Sequence, residues 1–202
     1  MRRLVLVEFL TVDGVVQGLG SPDEDRRGGF EHGGWGVPYA ADVHATLGAD
    51  GVSGTGAYLF GRRTYEKMAE FWPDQPDANP IAAHMNATPK HVASRTLRDE
   101  DLRWAGATVL QGDLAPAVGE LLADGDGDVA VLGSGDLARQ LLRLDVVDEL
   151  RLIVHPLLLG TGTRLFGELP APRALRLVRH DVTAAGSLVL GYELARDGAP
   201  VA

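Results

Sequence analysis

Three short stretches carry residues suited to holding an anion. In Leu59-Phe60-Gly61-Arg62-Arg63-Thr64-Tyr65-Glu66 a glycine turns an apolar run into a helical pattern, and two arginines follow. A helix N-terminus points free N–H groups outward, so with added positive charge it suits a phosphate. The same residues also make a glycine turn, a threonine cap and two solvated arginines. The second stretch, Val131-Leu132-Gly133-Ser134-Gly135-Asp136-Leu137, sets a serine between two glycines where a buried run meets a helix. That lets a pyrophosphate approach the backbone, but Ala138 stands where the G-x-G-x-x-G fingerprint has its third glycine. The third, Lys90-His91-Val92-Ala93-Ser94-Arg95-Thr96-Leu97, ends a strand in two hydroxyls around an arginine. It suits a phosphate monoester, and a capped turn equally. In an open α/β sheet, ligands bind outside the carboxyl ends of the strands. All three junctions fall at that edge and can converge on one polyanionic ligand.

A second set of residues suits a flat heterocycle. Trp35, Tyr39, Phe71 and Trp72 flank a long loop and the ends of two helical patterns. They fit the apolar wall of a ligand pocket, or ordinary core. The loop from Asp13 to Gly36 holds eight glycines, Pro22 and a charged cluster at Asp23–Arg27. A loop of that length inside a compact domain is usually a lid or binding loop, or disordered. Asp42 is the only carboxylate well inside the first helical pattern, and a solvated surface residue is the competing account.

Other chemistries are excluded. There is no cysteine, hence no thiolate nucleophile or thiolate zinc site. The six histidines show neither H-E-x-x-H nor a close pair, so no metal is expected. Neither G-x-x-x-x-G-K-[ST] nor G-x-S-x-G occurs.

The elements that must position these residues are legible as runs. Apolar, β-branched segments bounded by turn residues mark eight strands: Leu4–Leu10, Ala57–Phe60, His91–Ala93, Thr108–Leu110, Val129–Leu132, Leu150–His155, Leu175–Asp181 and Leu188–Leu194. Four helical patterns lie between them: Pro38–Leu47, Thr64–Phe71, Leu114–Ala123 and Asp136–Leu144. The first five strands are apolar on both faces, as in a parallel sheet covered by helices. In Leu188–Leu194 the large apolar residues alternate, which suits an antiparallel edge, and Thr183-Ala184-Ala185-Gly186 is short enough for a hairpin. The expected fold is α/β: a mixed, mostly parallel eight-stranded sheet with antiparallel C-terminal strands.

With 202 residues the chain reads as one domain, long enough to bury a core without staples. Its net charge of −9 argues against a nucleic-acid partner. The run after Arg3 is short, holds Glu8 and lacks a small-residue cleavage site. No stretch reaches the ~20 apolar residues of a membrane span, so a cytoplasmic protein is expected.

In order along nearly the whole chain, these segments resemble the dihydrofolate reductase-like family, in its RibD C-terminal reductase branch of small bacterial proteins. The matching residues are Thr11–Gly14, Phe60–Glu66, Lys90–Leu97, Val131–Leu137, Val147–Leu152, Pro156–Gly160 and Arg164–Phe166. The resemblance implies a riboflavin-related, NADPH-dependent reductase acting on a small molecule, with self-association into a homodimer. By that resemblance Arg62 and Thr64, beside Gly61 and Arg63, hold the cofactor's 2′-phosphate and pyrophosphate ends. Ser94, Arg95 and Thr96 surround the adenosine side, Gly133, Ser134, Gly135, Asp136 and Leu137 the pyrophosphate. The loop opened by Asp13 closes over nicotinamide, beside the substrate. Folate reductases carry a proton-handling carboxylate on the first helix, for which Asp42 is the candidate. The riboflavin-pathway enzymes carry a glutamate where this chain has Leu132. The expected activity is hydride transfer to a C=N or C=O carbon of a pterin- or pyrimidine-like heterocycle. A nucleotide-binding sensor without turnover is the alternative.

Overall fold

The computed structural model describes residues 1–47 and 52–195. Eight strands, β1 (Leu4–Thr11), β2 (Thr55–Gly61), β3 (Lys90–Ala93), β4 (Ala107–Leu110), β5 (Asp128–Leu132), β6 (Glu149–His155), β7 (Leu175–Val182) and β8 (Leu188–Leu194), form a sheet in the order β4-β3-β2-β5-β1-β6-β8-β7. Its helices are α1 (Ala40–Leu47), α2 (Arg62–Phe71), α3 (Pro80–Ala87), α4 (Leu114–Ala123) and α5 (Gly135–Arg143). The chain divides into two compact units: Met1–Leu6 with Ala49–Val146, and Val7–Gly48 with Val147–Ala202.

In the first unit β2 pairs in parallel with β3 and β5, and β3 with β4. The register aligns Gly61 with Ala93 and Ala93 with Leu110. Three strand ends therefore stop at one level, each followed by a segment that must turn. Tyr58, Phe60, Tyr65, Met85, Val92, Trp104 and Ala130 make the core. Tyr65 faces inward with its hydroxyl accepting the amides of Arg103 and Trp104, both at 3.0 Å. Lys90 is buried, with no carboxylate at its ammonium among the described residues. It donates to the carbonyls of Asn86 (2.8 Å) and Ala105 (3.0 Å) and lies 4.8 Å from the Trp104 ring centre. Burial pushes its pKa down to about 8. On α5, Leu137, Ala138, Leu141 and Leu142 are buried, the one-sided spacing of a helix against a sheet.

The second unit holds the antiparallel part, β6 against β8 and β8 against β7. The hairpin between β7 and β8 closes at Gly186, whose φ of +83° is the left-handed conformation such a turn needs. Strand β7 ends the sheet and is exposed along most of its length.

Two differences from the sequence expectation concern helices. Helix α3 falls in a segment to which the sequence reading gives no element. It begins at Asn79, whose side chain accepts the amides of Ile81 (3.1 Å) and Ala82 (3.4 Å), with Pro80 in the first turn. The first pattern, read as one helix from Pro38, is a 3₁₀ turn at Val37–Tyr39 and then α1.

The glycine-rich segment after β1 is bridged by Gln17. The buried Gln17 amide donates to the Asp25 and Arg27 carbonyls (3.2 and 3.0 Å) and to the Asp25 carboxylate (3.2 Å). Its oxygen accepts the Thr163 amide (2.9 Å) and hydroxyl (3.0 Å). Val15, Phe30 and Trp35 pack together beneath it.

Candidate functional site

The aligned strand ends of the first unit open into a cleft of about 650 Å³. Gly61, Arg62, Arg63 and Glu66 line it from the β2–α2 junction, and Ala93, Ser94 and Arg95 from the end of β3. Gly112, Asp113 and Leu114 come from the β4–α4 junction, and Ser134, Asp136, Leu137 and Gln140 from the start of α5. Three helices begin here, α2, α4 and α5. Their cap residues Gly61, Asp113 and Ser134 make no side-chain hydrogen bond to the first turn. Helix α3, elsewhere, is capped by Asn79. The helices at the cleft thus keep leading amides that no cap side chain covers, which favours an anion there.

Glycine at two positions keeps the floor open. A Cβ on Gly61 would lie 2.5 Å from the Ser134 hydroxyl oxygen. One on Gly133, where φ is +55°, would lie 3.2 Å from the Thr64 hydroxyl oxygen. Backbone and backbone approach directly instead, the Gly61 amide 3.4 Å from the Gly133 carbonyl. The Gly133–Ser134 peptide is cis.

The three cleft arginines are not equivalent. Arg62 is engaged twice, Nε to Glu66 and Nη1 to the Thr96 hydroxyl, both at 2.7 Å. Arg63 lies 3.9 Å from the Asp136 carboxylate, which Arg139 also contacts. Arg95 makes no hydrogen bond or ion pair among the described residues. The turn beneath it is fixed, since Ser94 Oγ accepts the amides of Thr96 (3.2 Å) and Leu97 (3.1 Å). Glu66, Asp113 and Asp136 put negative charge in the same cleft, so it is not uniformly basic.

The structure therefore gathers Gly61, Arg62, Arg63, Ser94, Arg95, Ser134, Asp136 and Leu137 on one surface. Thr64, Thr96, Gly133 and Gly135 stand directly behind or beside it. Sequence reasoning missed the β4–α4 junction, although Gly112-Asp113 before a helical pattern repeats the signal used for the other two.

The substrate candidates divide between the units. Phe71 and Trp72 belong to the first, at the end of α2 opposite Gly61. Phe71 is largely exposed, and Trp72 packs on the core with its indole N–H on the Met68 sulfur. Trp35 and Tyr39 belong to the second, where both rings meet His155. Asp42 lies half-buried in the first turn of α1. Asp13 acts as a clasp. Its carboxylate accepts the Thr11 hydroxyl (2.6 Å) and the amides of Leu159 (3.2 Å) and Gly160 (2.8 Å). The Thr11 bond, followed by the two amides, holds its pKa below the usual carboxylate value. His155 was not singled out from the sequence. It is 1% exposed, and burial pushes its pKa down to about 4.

Residues 2–189 match the model of the RibD C-terminal domain family. The chain is 24% identical over 194 residues to the uncharacterized protein YyaP of Bacillus subtilis (strain 168), covering 95% of this chain and 94% of that one. Among solved structures it is similar to a protein named for riboflavin biosynthesis from Shewanella sp. PV-4, with TM-score 0.68 and 21% identity over 96% of this chain and 99% of the other. A pyrimidine reductase-like protein from Corynebacterium diphtheriae aligns with TM-score 0.58 and 14% identity, over 97% and 93% of the two chains. Both likenesses extend over nearly the whole of each chain and show a shared fold.

Proposed function

The chain belongs to the RibD C-terminal domain family, and from that premise we propose that it is an NADPH-dependent reductase of a small pyrimidine- or pterin-like heterocycle. One observation carries the reading. A cleft of nucleotide size lies at the carboxyl ends of parallel strands, where three helices start without side-chain caps beside an arginine with no partner among the described residues. Bound there, NADPH supplies the hydride from its nicotinamide ring, and the protein's part is to bind, orient and exclude water.

The residues present fit such a cofactor. The first amides of α2 and α5, over Gly61 and Gly133, suit the pyrophosphate, with Arg63 beside them. Arg95 is the residue for the 2′-phosphate, because its guanidinium is not already spent on a neighbour. Arg62 holds Thr96 and so positions the turn that presents Arg95. Asp113 suits an adenosine hydroxyl or amine rather than a phosphate. Leu132, where riboflavin-pathway enzymes carry glutamate, argues for a substrate other than their ribosylated pyrimidine intermediate.

The reading extends to a cytoplasmic protein that forms a homodimer along strand β7, whose Leu177, Val178 and Val182 are exposed. For the described residues, no helix is long and apolar enough to cross a membrane.

Thermal-shift titration with NADPH, NADH, FMN and ATP tests the cofactor. A ligand at 100 times its Kd adds about 2.7 kcal/mol, a rise of several degrees in a chain this size. NADPH is expected to give the largest rise, followed by its oxidation in the presence of pyrimidine and pterin substrates. No rise with NADPH overturns the reading, and a rise without turnover on any heterocycle favours a nucleotide sensor.

A further inference from the structure

His155, at the end of β6, is enclosed by three aromatic rings in the second unit. Phe9 stacks on it at 6.2 Å between ring centres, Trp35 meets it edge-on at 5.4 Å, and Tyr39 lies tilted over it at 4.8 Å. Its Nδ1 lies 2.9 Å from the Ser187 hydroxyl oxygen, and Ser187 is fully buried. Its Nε2 is buried and has no hydrogen-bond partner among the described residues.

The tautomer follows from counting protons. Among the described residues Nδ1 is the only partner of the Ser187 hydroxyl. If Nδ1 carried the imidazole proton, the buried serine proton and the Nε2 lone pair would both be left without partners. If serine donates to Nδ1, one group alone is left over, the Nε2 proton. The imidazole is then a neutral donor held in a fixed orientation inside an aromatic box. Such a group costs about 1–3 kcal/mol when left unsatisfied, so an acceptor arriving there recovers a hydrogen bond otherwise missing.

Tyr39 can leave. It is half-buried in the 3₁₀ turn before α1, flanked by the exposed Val37 and Pro38. Its hydroxyl makes no hydrogen bond among the described residues, unusual for a tyrosine that is not fully exposed. Trp35, by contrast, is pinned through its indole N–H to the Gln17 carbonyl at 2.7 Å.

We propose that this box is the substrate's ring-binding site: a planar, uncharged heterocycle displaces Tyr39 over His155, and its carbonyl or imine acceptor takes the Nε2–H of His155. The inference deepens the substrate half of the function proposed above and rests on it for the class of ligand. Phe9 and Trp35 remain as walls. No arginine or lysine contributes a ring contact, and a neutral imidazole does not hold a carboxylate, so anionic rings are disfavoured. Because the imidazole stays neutral well below pH 6, affinity is flat from there to pH 8.

The test uses the intact protein with uracil, pterin, toluene and benzoate as probes, read by calorimetry and by the fluorescence of Trp35. Uracil or pterin is expected to bind, toluene and benzoate at least tenfold more weakly. Tyr39→Ala is expected to bind the heterocycle more tightly, because the displaced ring is gone. His155→Phe keeps the box but lacks the donor, and is expected to lose about tenfold, the worth of one 1.4 kcal/mol hydrogen bond. NADPH binding, measured on the same variants, stays unchanged. Heteronuclear NMR of the histidine rings reads wild type directly, so a variant that fails to fold leaves the question answerable. The Nε2–H tautomer and a shift of its signal on adding the heterocycle are expected. Equal affinity in His155→Phe, weaker binding in Tyr39→Ala, the Nδ1–H tautomer, or no heterocycle binding at all overturns the site. If NADPH still binds in that case, the cofactor cleft stands without it. If NADPH does not bind, the proposed function fails separately.

Discussion

Replacing Arg95 by alanine tests whether Arg95, rather than the Arg62 to which the resemblance gives the 2′-phosphate, holds that group. NADPH and NADH differ by one phosphate, worth close to two negative charges above its second pKa near 6. Arg95 has no partner to give up when that phosphate arrives, so the full contact is lost on truncation. A hydrogen bond to a charged group contributes about 1.5–3 kcal/mol, a loss in NADPH affinity of roughly 10- to 150-fold. NADH affinity should hardly change. Arg62 is already bound to Glu66 and Thr96, so Arg62→Ala acts only through the Ser94–Thr96 turn that presents Arg95 and should cost NADPH less than Arg95→Ala does, with NADH again hardly changed. Calorimetric titration of each variant with each cofactor reads the difference. The selectivity lost in Arg95→Ala should shrink below pH 6, where the phosphate loses charge. It should shrink also as salt shortens the screening length from about 30 Å at 0.01 M to about 3 Å at 1 M. Equal losses of NADPH and NADH in Arg95→Ala, or a selective loss in Arg62→Ala larger than that in Arg95→Ala, would refute the assignment.

Three further outcomes are expected. Gly61→Ala forces a methyl against the Ser134 hydroxyl oxygen at 2.5 Å and should lower stability by about 1–3 kcal/mol, seen in thermal melts, while weakening NADPH. The unfolded imidazole of His155 takes its proton near pH 6.5 and the folded one only near 4. The unfolded state therefore binds more protons between those values, and stability falls as pH drops through that window. The loss is at most about 3 kcal/mol, and denaturant melts of His155→Phe should show a shallower acid slope. Gln17→Ala removes the tie between the glycine-rich segment and Thr163, and should speed tryptic cleavage at Arg26 and Arg27. Unchanged cleavage would mean that the packing of Phe30 and Trp35 alone holds the segment.

The strands were readable because each is a short apolar run cut off by turn residues: seven of the eight shifted at an end by only a residue or two, and Leu188–Leu194 did not shift. Helix α3 was not, since prolines at 73, 76 and 80 surround eight residues of weak one-sided pattern. Its Asn79-Pro80 start was visible and went unused. The anion cleft was legible as three strand-to-helix junctions, each of which alone also reads as a capped turn, because all three fall at the carboxyl edge of one sheet. Which arginine stays available was not, because Arg62 is committed by Thr96, 34 residues away. His155 was equally hidden. Its partner Ser187 lies 32 residues on, and one histidine in an apolar strand carries no signal of the rings that surround it. The glycine-rich loop reads as a lid by composition, whereas Gln17 secures it through a residue 146 positions away.

Strand β1 serves both compact units, Leu4–Leu6 in one and Val7–Thr11 in the other, while each unit is assembled from two separated pieces of chain. This has a consequence for the order of events during synthesis. The parallel strands β2 to β5 and their helices are complete once Val146 has emerged, at an elongation rate of about 5–20 residues per second. For several seconds more the latter half of β1 waits, its neighbour β6 and the β7–β8 hairpin still unmade. Closing that loop of more than a hundred residues is a late, non-local event of the kind that slows folding. The apolar stretch Val7–Leu10 is therefore the segment a nascent-chain chaperone should hold longest.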